Sequence, residues 1–481
     1  MSKSIGRRRF LKSAAQGMLA APVLVALPEL GMAQAAQPAH TENNGSHESM
    51  AGSGVASGGP KVTLNVRDLG ATGDGKTNDT EALQQAIERC SVLGGGEVVV
   101  PAGNYSTGAL VLHSEVTLRL EEGASLLGVA DLTQFPLAQV RWEGHWIKGY
   151  SALISAMDSD NIGIVGPGRI VGNPAIRGRI ERSTHYRLPA LLEFTNCRNV
   201  KVENCSTSNG GMWSIHPTYC EHVIFKNVVV DSGADGIDVD SCRHVIIDGC
   251  KFSTYDDCIS LKSGRGEEGN TINRPTENVT ISNCTFSDAI WACIGIGSET
   301  SGGIRNVHVN NCKCVGARTY AIYIKTRVGR GAFIEDIYMN GLDVSGAKQG
   351  FLRINLLSSG KRDEAPVPGM AGIPTARNFH FSNIRVHDEA VLVEATEIDP
   401  SKPLVGLTLE NVTGTCEKGI FMANIRDAVL RNIHVTGYTG ALVSIHDVTG
   451  SGLAGAAKLE PAQIPKAPEP VPAPPMPYKL D

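Results

Sequence analysis

Two acidic groups stand close together in residues 233–262, GADGIDVDSCRHVIIDGCKFSTYDDCISLK: Asp235 with Asp238 and Asp240, then the adjacent pair Asp256 and Asp257. Carboxyl groups in opposition suit glycosyl transfer to water. One protonates the leaving oxygen while another activates the water, and inverting chemistry needs them roughly 6.5–9.5 Å apart. The apolar residues Val245, Ile246 and Ile247 lie between the groups. If the stretch is one turn of a stacked coil, Asp235 and Asp256, 21 residues apart, come to lie one above the other. Neighbouring strands are about 4.8 Å apart, so side chains on adjacent coils span such a gap. Consecutive residues on a regular strand face opposite ways, so Asp256 and Asp257 serve one site only if the chain bulges or turns there. Two adjacent carboxyls also resist ionising together, which keeps one protonated near neutral pH.

The elements that must position these groups are legible as a repeat. One frame recurs as NIGIVG, NVKVENC, HVIFKNV, HVIIDGC, NVTISNC, NVHVNNC, DIYMNGL, NFHFSNI, GLTLENV and DAVLRNI. Its sixth position is always Asn or Gly: Gly166, Asn204, Asn227, Gly249, Asn283, Asn311, Gly341, Asn383, Asn411 and Asn432. These residue types best tolerate positive φ, so each coil is expected to turn a corner there. The next position, Pro167, Cys205, Val228, Cys250, Cys284, Cys312, Leu342, Ile384, Val412 and Ile433, reads as an inward apolar stack. Steps of 21 to 42 residues between corners mean a constant coil with variable excursions, which is a solenoid. The fold class is therefore all-β, a parallel β-helix. Asn78 and Glu81 can form a capping box, and Ala82, Leu83, Ala86, Ile87 and Cys90 follow at helical spacing, giving a short N-terminal helix that caps the stack.

The 481 residues include 54 Gly and only 5% aromatics, a turn-rich β composition. Residues 1–35 read as a twin-arginine signal peptide, with Arg7-Arg8-Arg9-Phe10-Leu11-Lys12, an apolar run and Ala33-Gln34-Ala35 as cleavage site. Export to the periplasm or medium is the expectation, with no membrane attachment after cleavage. Residues 36–60 read as a flexible linker, 61–450 as the β-helix and 451–481 as a Pro-rich, solvated tail. The formal charge of −5 becomes −9 once residues 1–35, with five basic and one acidic side chain, are removed, so the overall field steers neither nucleic acid nor anionic membrane. The twelve cysteines include no C-x-x-C, and those ending the repeat frame read as buried apolar residues. No metal or other cofactor is expected, and the chain is expected to be a monomer.

The motifs GADGIDVDSC, YDDCISLKSG, NRPTENVTISNCTF, IGIGSETSGGIRNV and IYIKTRVGRG, together with the stretch from Trp213 to Pro217, resemble glycoside hydrolase family 28, the polygalacturonase family of right-handed parallel β-helices. The likeness runs from about residue 66 to at least 341, with the motifs in the family's order. It implies Asp256 as general acid, with Asp235 and Asp257 holding the attacking water. Asp238 and Asp240 are left as turn or supporting residues.

The departures bear on substrate. Where the family reads N-T-D the chain has Gly233-Ala234-Asp235; where it places His in G-H-G the chain has Ile290-Trp291-Ala292 or, in a frame one residue later, Ala292 at the His, with no His in either; and R-I-K becomes Tyr323-Ile324-Lys325, keeping only Lys325. The family's His and Arg help to bind galacturonate, so their loss argues for an acidic, plant cell-wall type glycan of the rhamnogalacturonan kind rather than plain polygalacturonan. Tyr255, Trp291 and Tyr323 are candidate platforms for the apolar face of a sugar. Arg265, Arg327 and Arg330 are candidate partners for uronate carboxylates, and His216 is a candidate ligand contact. Two other classes fit the same acidic cluster: a β-helix polysaccharide lyase with calcium held by aspartates, and a β-helix that binds glycan without cleaving it.

Overall fold

The computed structural model describes residues 61–472, so the signal and linker expectations, and the last residues of the tail, lie outside the described part. Parallel strands stack coil upon coil into one 33-stranded arrangement, and an antiparallel hairpin, Leu137–Trp142 with His145–Tyr150, stands outside it. Corresponding residues of successive coils pair in register. Val200, Val223, Val245, Val279, Val307, Ile337 and Phe379 form one such inward column, all buried.

The repeat frame accounts for the corners. All ten sixth-position residues have positive φ, from 52° to 102°. Their side chains form ladders between coils: Asn227 Nδ2 donates to Asn204 Oδ1 at 3.0 Å, Asn411 to Asn383 at 3.1 Å and Asn432 to Asn411 at 2.9 Å. Gly249 interrupts the ladder for a steric reason, because a Cβ there would meet Asn227 Oδ1 at 2.5 Å. The first position of the frame is a second left-handed corner, where the residue type is less uniform than at the sixth. Asn161, Asn199, His222, His244, Asn278, Asn306, Asp336, Asn378, Gly406 and Asp427 all have φ between 53° and 78°. The apolar stack after the sixth position is buried from Cys205 to Val412, whereas Pro167 is exposed and Ile433 half-buried at the two ends. All twelve cysteines are free and buried, as small apolar residues in the core.

Helix α1, Thr80–Val92, buries Leu83, Ala86, Ile87 and Cys90 against the first coils. The expected capping box does not form. Asp79 is the N-cap and its carboxylate turns away to the backbone N–H groups of Thr72 and Gly73, at 2.7 and 3.1 Å. The helix start is thus held by Asn78 Oδ1, which accepts from the Thr80 N–H at 3.0 Å. The Pro-rich tail is not free of the coil over its described length: Ala457–Lys458 pairs with Val443–Ser451, and the Val471 carbonyl accepts from Gly369 N–H at 2.7 Å. No helix among the described residues is long and apolar enough to cross a membrane.

Candidate active site

The strands Ile215–Thr218, Ile237–Asp240, Ile259–Lys262, Ile294–Ile296 and Tyr320–Lys325 lie side by side in that order. The turns that enter two of them carry Asp235, Asp256 and Asp257, while Asp238 and Asp240 lie on the strand Ile237–Asp240 itself. Strand Lys251–Thr254 ends before Asp256 and strand Ile259–Lys262 begins after Asp257, so the pair sits in a bend, as sharing one site requires. The register departs from the expected one by a single residue. Ile237 pairs with Ile259, and Gly236 N–H donates to the Asp257 carbonyl at 3.0 Å, so Asp235 lies beneath Asp257 and Ala234 beneath Asp256.

A cleft of about 250 Å³ opens over these turns, with Asp235, Asp256 and Asp257 in its lining. Asp257 is fixed from three sides: Lys325 Nζ at 2.6 Å and Ser260 Oγ at 2.8 Å on Oδ2, and the Ala292 N–H at 3.0 Å on Oδ1. Gly295 leaves the room for this arrangement, since a Cβ there would stand 2.5 Å from Asp257 Oδ2. Asp256 accepts on Oδ1 from the Asp257 N–H at 3.1 Å and on Oδ2 from Arg179. Asp235 holds Lys262 Nζ at 3.2 Å and lies 3.8 Å from the Arg179 guanidinium. Burial pushes the Asp235 carboxyl up to about 6, with Asp256 and Asp257 adding to the rise against Lys262 and Arg179. Glu299, in the same wall, is driven the other way. Burial works to raise it, but Lys262, Arg330 and Lys325 together hold it down at about 2.

Each acidic residue of the cluster has a basic neighbour built into the fold. Lys262 stands 2.6 Å from the fully buried Asp238 as well as facing Asp235, and Arg141 donates to Asp240 at 3.0 Å. Burial is the largest influence on Lys262 and works against its charge, yet Asp238, Glu299 and Asp235 outweigh it and raise the ammonium. Asp238 and Asp240 are therefore internal partners of Lys262 and Arg141, and neither lines the cleft. No group of three or more His, Cys, Asp or Glu placed to hold a metal occurs among the described residues.

The predicted contact residues divide. Lys325 and Trp291 line the cleft, the indole 43% exposed. Tyr323 does not: it is 6% exposed, packed against Tyr320 with the Arg353 guanidinium 5.4 Å from its ring. Tyr255 is 70% exposed but faces a neighbouring cavity with Arg177, Asn209 and Asp231. His216 is buried behind the cleft, edge-on to Trp213 at 4.8 Å, with Nδ1 3.5 Å from Glu193. Burial lowers this imidazole, Glu193 opposing, so it acts as a neutral support for Trp213 rather than as a ligand contact. Arg265 and Arg327 are held in the wall. Arg265 binds Asp363 at 2.9 Å and Glu143 at 3.3 Å, and Arg327 donates to the Gly360 carbonyl at 2.6 Å. Arg330 is wholly buried on Asp363. Arg265 and Arg330 shape the wall instead of facing a substrate, because the stacked coils bring their excursions against Glu143 and Asp363, and Arg327 holds the loop 359–361 through the Gly360 carbonyl.

Several lining residues lay outside the sequence reading. Glu143, at the tip of the hairpin, meets Lys361 at 2.8 Å and closes one side of the cleft. The hairpin is anchored by Trp142 stacked on Trp213 at 5.2 Å. The loop 264–275 folds into α2, Gly266–Ile272, whose Glu268 binds Arg141 at 2.9 Å, away from the lining. Arg179 stands on the excursion between Arg169–Val171 and Leu192–Thr195, where nothing repeats. Only Lys262 had a local signal, as the cation that ends the acidic stretch on the same strand face as Asp238 and Ser260 in alternation.

Comparison with known proteins finds the same family by sequence and the same fold by structure. The profile described as Glycosyl hydrolases family 28 matches residues 90–355. A probable polygalacturonase of Vitis vinifera is 29% identical over 72% of this chain and 73% of that protein. An exo-poly-alpha-D-galacturonosidase of Dickeya chrysanthemi is 27% identical over 52% of this chain and 50% of its own length. Among solved structures, an exopolygalacturonase from Thermotoga maritima superposes with a TM-score of 0.71 at 27% identity, covering 79% of this chain and 92% of that one. The family 28 exopolygalacturonase of Yersinia enterocolitica, at 21% identity and a TM-score of 0.69, shares the fold.

Proposed function

The chain belongs to glycosyl hydrolases family 28, and from that membership we propose that it hydrolyses a pectin-type acidic glycan with inversion, Asp256 serving as general acid and Asp235 and Asp257 orienting the water. The observation that carries this reading is the convergence of three carboxyl groups from two adjacent coils on one cleft that also contains Lys262 and Lys325. The carboxyls supply acid and base, and the cations suit a substrate that carries uronate. Asp257, held by Lys325, Ser260 and a backbone N–H, is the rigid member of the pair that would position the water. Asp235 accepts a proton more readily than an ordinary carboxylate because of its burial, which suits a base.

The finer preference, for rhamnogalacturonan over plain polygalacturonan, rests on Trp291. In the frame Ile290-Trp291-Ala292 its exposed indole takes the place of the family's His, and it offers an apolar face, which suits a sugar lacking its 6-hydroxyl. Tyr323, buried beneath Arg353, no longer contributes to that argument. The lyase and binding alternatives gain nothing from the cleft, where each aspartate already has an internal partner. Export by the twin-arginine route remains part of the proposal, carried by Arg7-Arg8-Arg9; retention of the chain in the cytoplasm after replacing Arg7, Arg8 and Arg9 with Lys is the expected result of fractionation, and unchanged export would count against it.

The test of the chemistry is proton NMR of the first product from rhamnogalacturonan and galacturonan oligosaccharides. Inverted anomeric configuration is expected, with Asp256→Asn reducing turnover about 10²- to 10⁴-fold. A retained configuration, an unsaturated sugar, or full activity in Asp256→Asn would overturn the reading. Faster cleavage of galacturonan than of rhamnogalacturonan would overturn the finer preference alone.

A further inference from the structure

Both oxygens of Asp256 are occupied as hydrogen-bond acceptors. Oδ1 takes the backbone N–H of Asp257 at 3.1 Å, and Oδ2 takes the guanidinium of Arg179, which also lies 3.8 Å from Asp235. A carboxyl that protonates a leaving oxygen must present one oxygen as a donor. A guanidinium has five N–H donors and no lone pair to receive that hydrogen. The Asp257 N–H is part of the bend and does not move independently of the coil. The oxygen that can be released is therefore Oδ2, and its release requires Arg179 to leave.

Arg179 is suited to leaving. It stands on an excursion outside the repeating coils, its neighbour Gly178 is in a left-handed turn with open space around it, and its side chain is 37% exposed. It is also the arginine in the lining of the cleft, whereas Arg265 and Arg330 are locked on Asp363. A uronate carboxylate offers a guanidinium the same planar pair of oxygens that Asp256 does, and can take it in a bidentate pair. The cleft thus places one partly exposed guanidinium between an internal carboxylate and the space that a uronate would fill.

We propose that Arg179 is a substrate-responsive clamp on Asp256: it caps the carboxylate in the empty cleft and transfers to the carboxylate of an incoming uronate, freeing Asp256 for its role only when an acidic sugar is bound. This deepens the reading above and rests on Asp256 being the acid. Once released, Asp256 takes a proton from solvent and gives it to the leaving oxygen as the glycosidic C–O bond breaks. The attacking water supplies the new C–O bond and yields its proton to the carboxylate opposite. Arg179 thereby becomes a specificity residue at a position unrelated to the family's lost arginine.

The experiment compares the mature protein with Arg179→Gln and Arg179→Lys on an oligosaccharide it cleaves, offered with free carboxylates and as the methyl ester. The wild type should prefer the free acid by about 10- to 100-fold in kcat/KM, the range of a charge-assisted hydrogen bond made or lost. Arg179→Gln should lower cleavage of the acid and raise cleavage of the ester, so the preference collapses, while Arg179→Lys retains part of it. The rise on the ester is the decisive sign, because a merely structural role predicts a fall on both substrates. An unchanged ratio, or equal losses on both, would overturn the clamp while leaving the hydrolase standing. Full activity in Asp256→Asn, or no cleavage of any pectic substrate by the wild type, would overturn the hydrolase reading and the clamp with it.

Discussion

Replacing Gly295 by Ala adds one methyl group at the position where the structure has least room for it. The new Cβ would stand 2.5 Å from Asp257 Oδ2 and 3.3 Å from Lys325 Nζ. Ordinary contact begins near 3.4 Å, so the carboxylate must retreat by about 0.9 Å. Retreat is opposed by Lys325, Ser260 and the Ala292 N–H, which hold Asp257 at 2.6, 2.8 and 3.0 Å. At least one of those bonds must lengthen, a cost of about 1–2 kcal/mol for a charge-assisted contact in a buried site. Gly295 has ordinary strand geometry between Ile294 and Ile296, so the backbone accepts Ala without φ strain and the variant should fold. If Asp257 positions the water as proposed, it is then misplaced by nearly 1 Å, which costs on the order of 10²-fold in rate. Steady-state kinetics on a pectic oligosaccharide should show this loss mainly in kcat, with a thermal midpoint lowered by only a few degrees. Wild-type kcat in a folded Gly295→Ala would refute the placement of Asp257 at the reacting centre.

Asp235 gives a prediction in pH. Its carboxyl is raised from 3.8 to about 6 by burial, so kcat/KM should fall below about pH 6 as the base takes up a proton; a profile flat down to pH 4.5 would contradict it. The same shift acts on stability with the opposite sense to that of a salt-bridged aspartate. The folded state holds the proton more tightly than the unfolded chain, so stability falls as pH rises from about 4 through 6, by about 3 kcal/mol at most. Asp235→Asn should therefore raise the melting temperature at pH 7 and leave it nearly unchanged at pH 3.5, while abolishing most turnover. Asn283→Leu should cost about 1–2 kcal/mol in a denaturant melt, because Leu must adopt φ 55° at an exposed corner and the 2.7 Å bond to Asp248 is lost. The same substitution without loss would count against the left-handed ladder.

The corners, the apolar columns and the acidic turns were legible in the sequence because a solenoid repeats the same local problem in every coil. Asn or Gly recurs wherever φ must be positive, and alternating apolar residues recur wherever a strand faces the core. The acidic turns marked Asp235, Asp256 and Asp257, and the family resemblance added Lys325 and Trp291; all five line the cleft. The regularity also misled by one residue, since the spacing of 21 suggested Asp235 beneath Asp256, whereas the 22-residue register of Ile237 with Ile259 sets it beneath Asp257. Where the chain leaves the repeat, spacing carries no information about place. Arg179, Glu143 and Lys361 come from three unrelated excursions and meet only because the coils carry their loops to the same edge. The fate of each charged side chain was likewise decided in three dimensions. Arg265 and Arg330 were consumed by Asp363, His216 was buried under Trp213, and Tyr323 was packed beneath Arg353. A sequence states which groups are present; whether a guanidinium faces solvent, a substrate or a carboxylate 98 residues away, as Arg265 faces Asp363, is set by which excursions the stacked coils bring together.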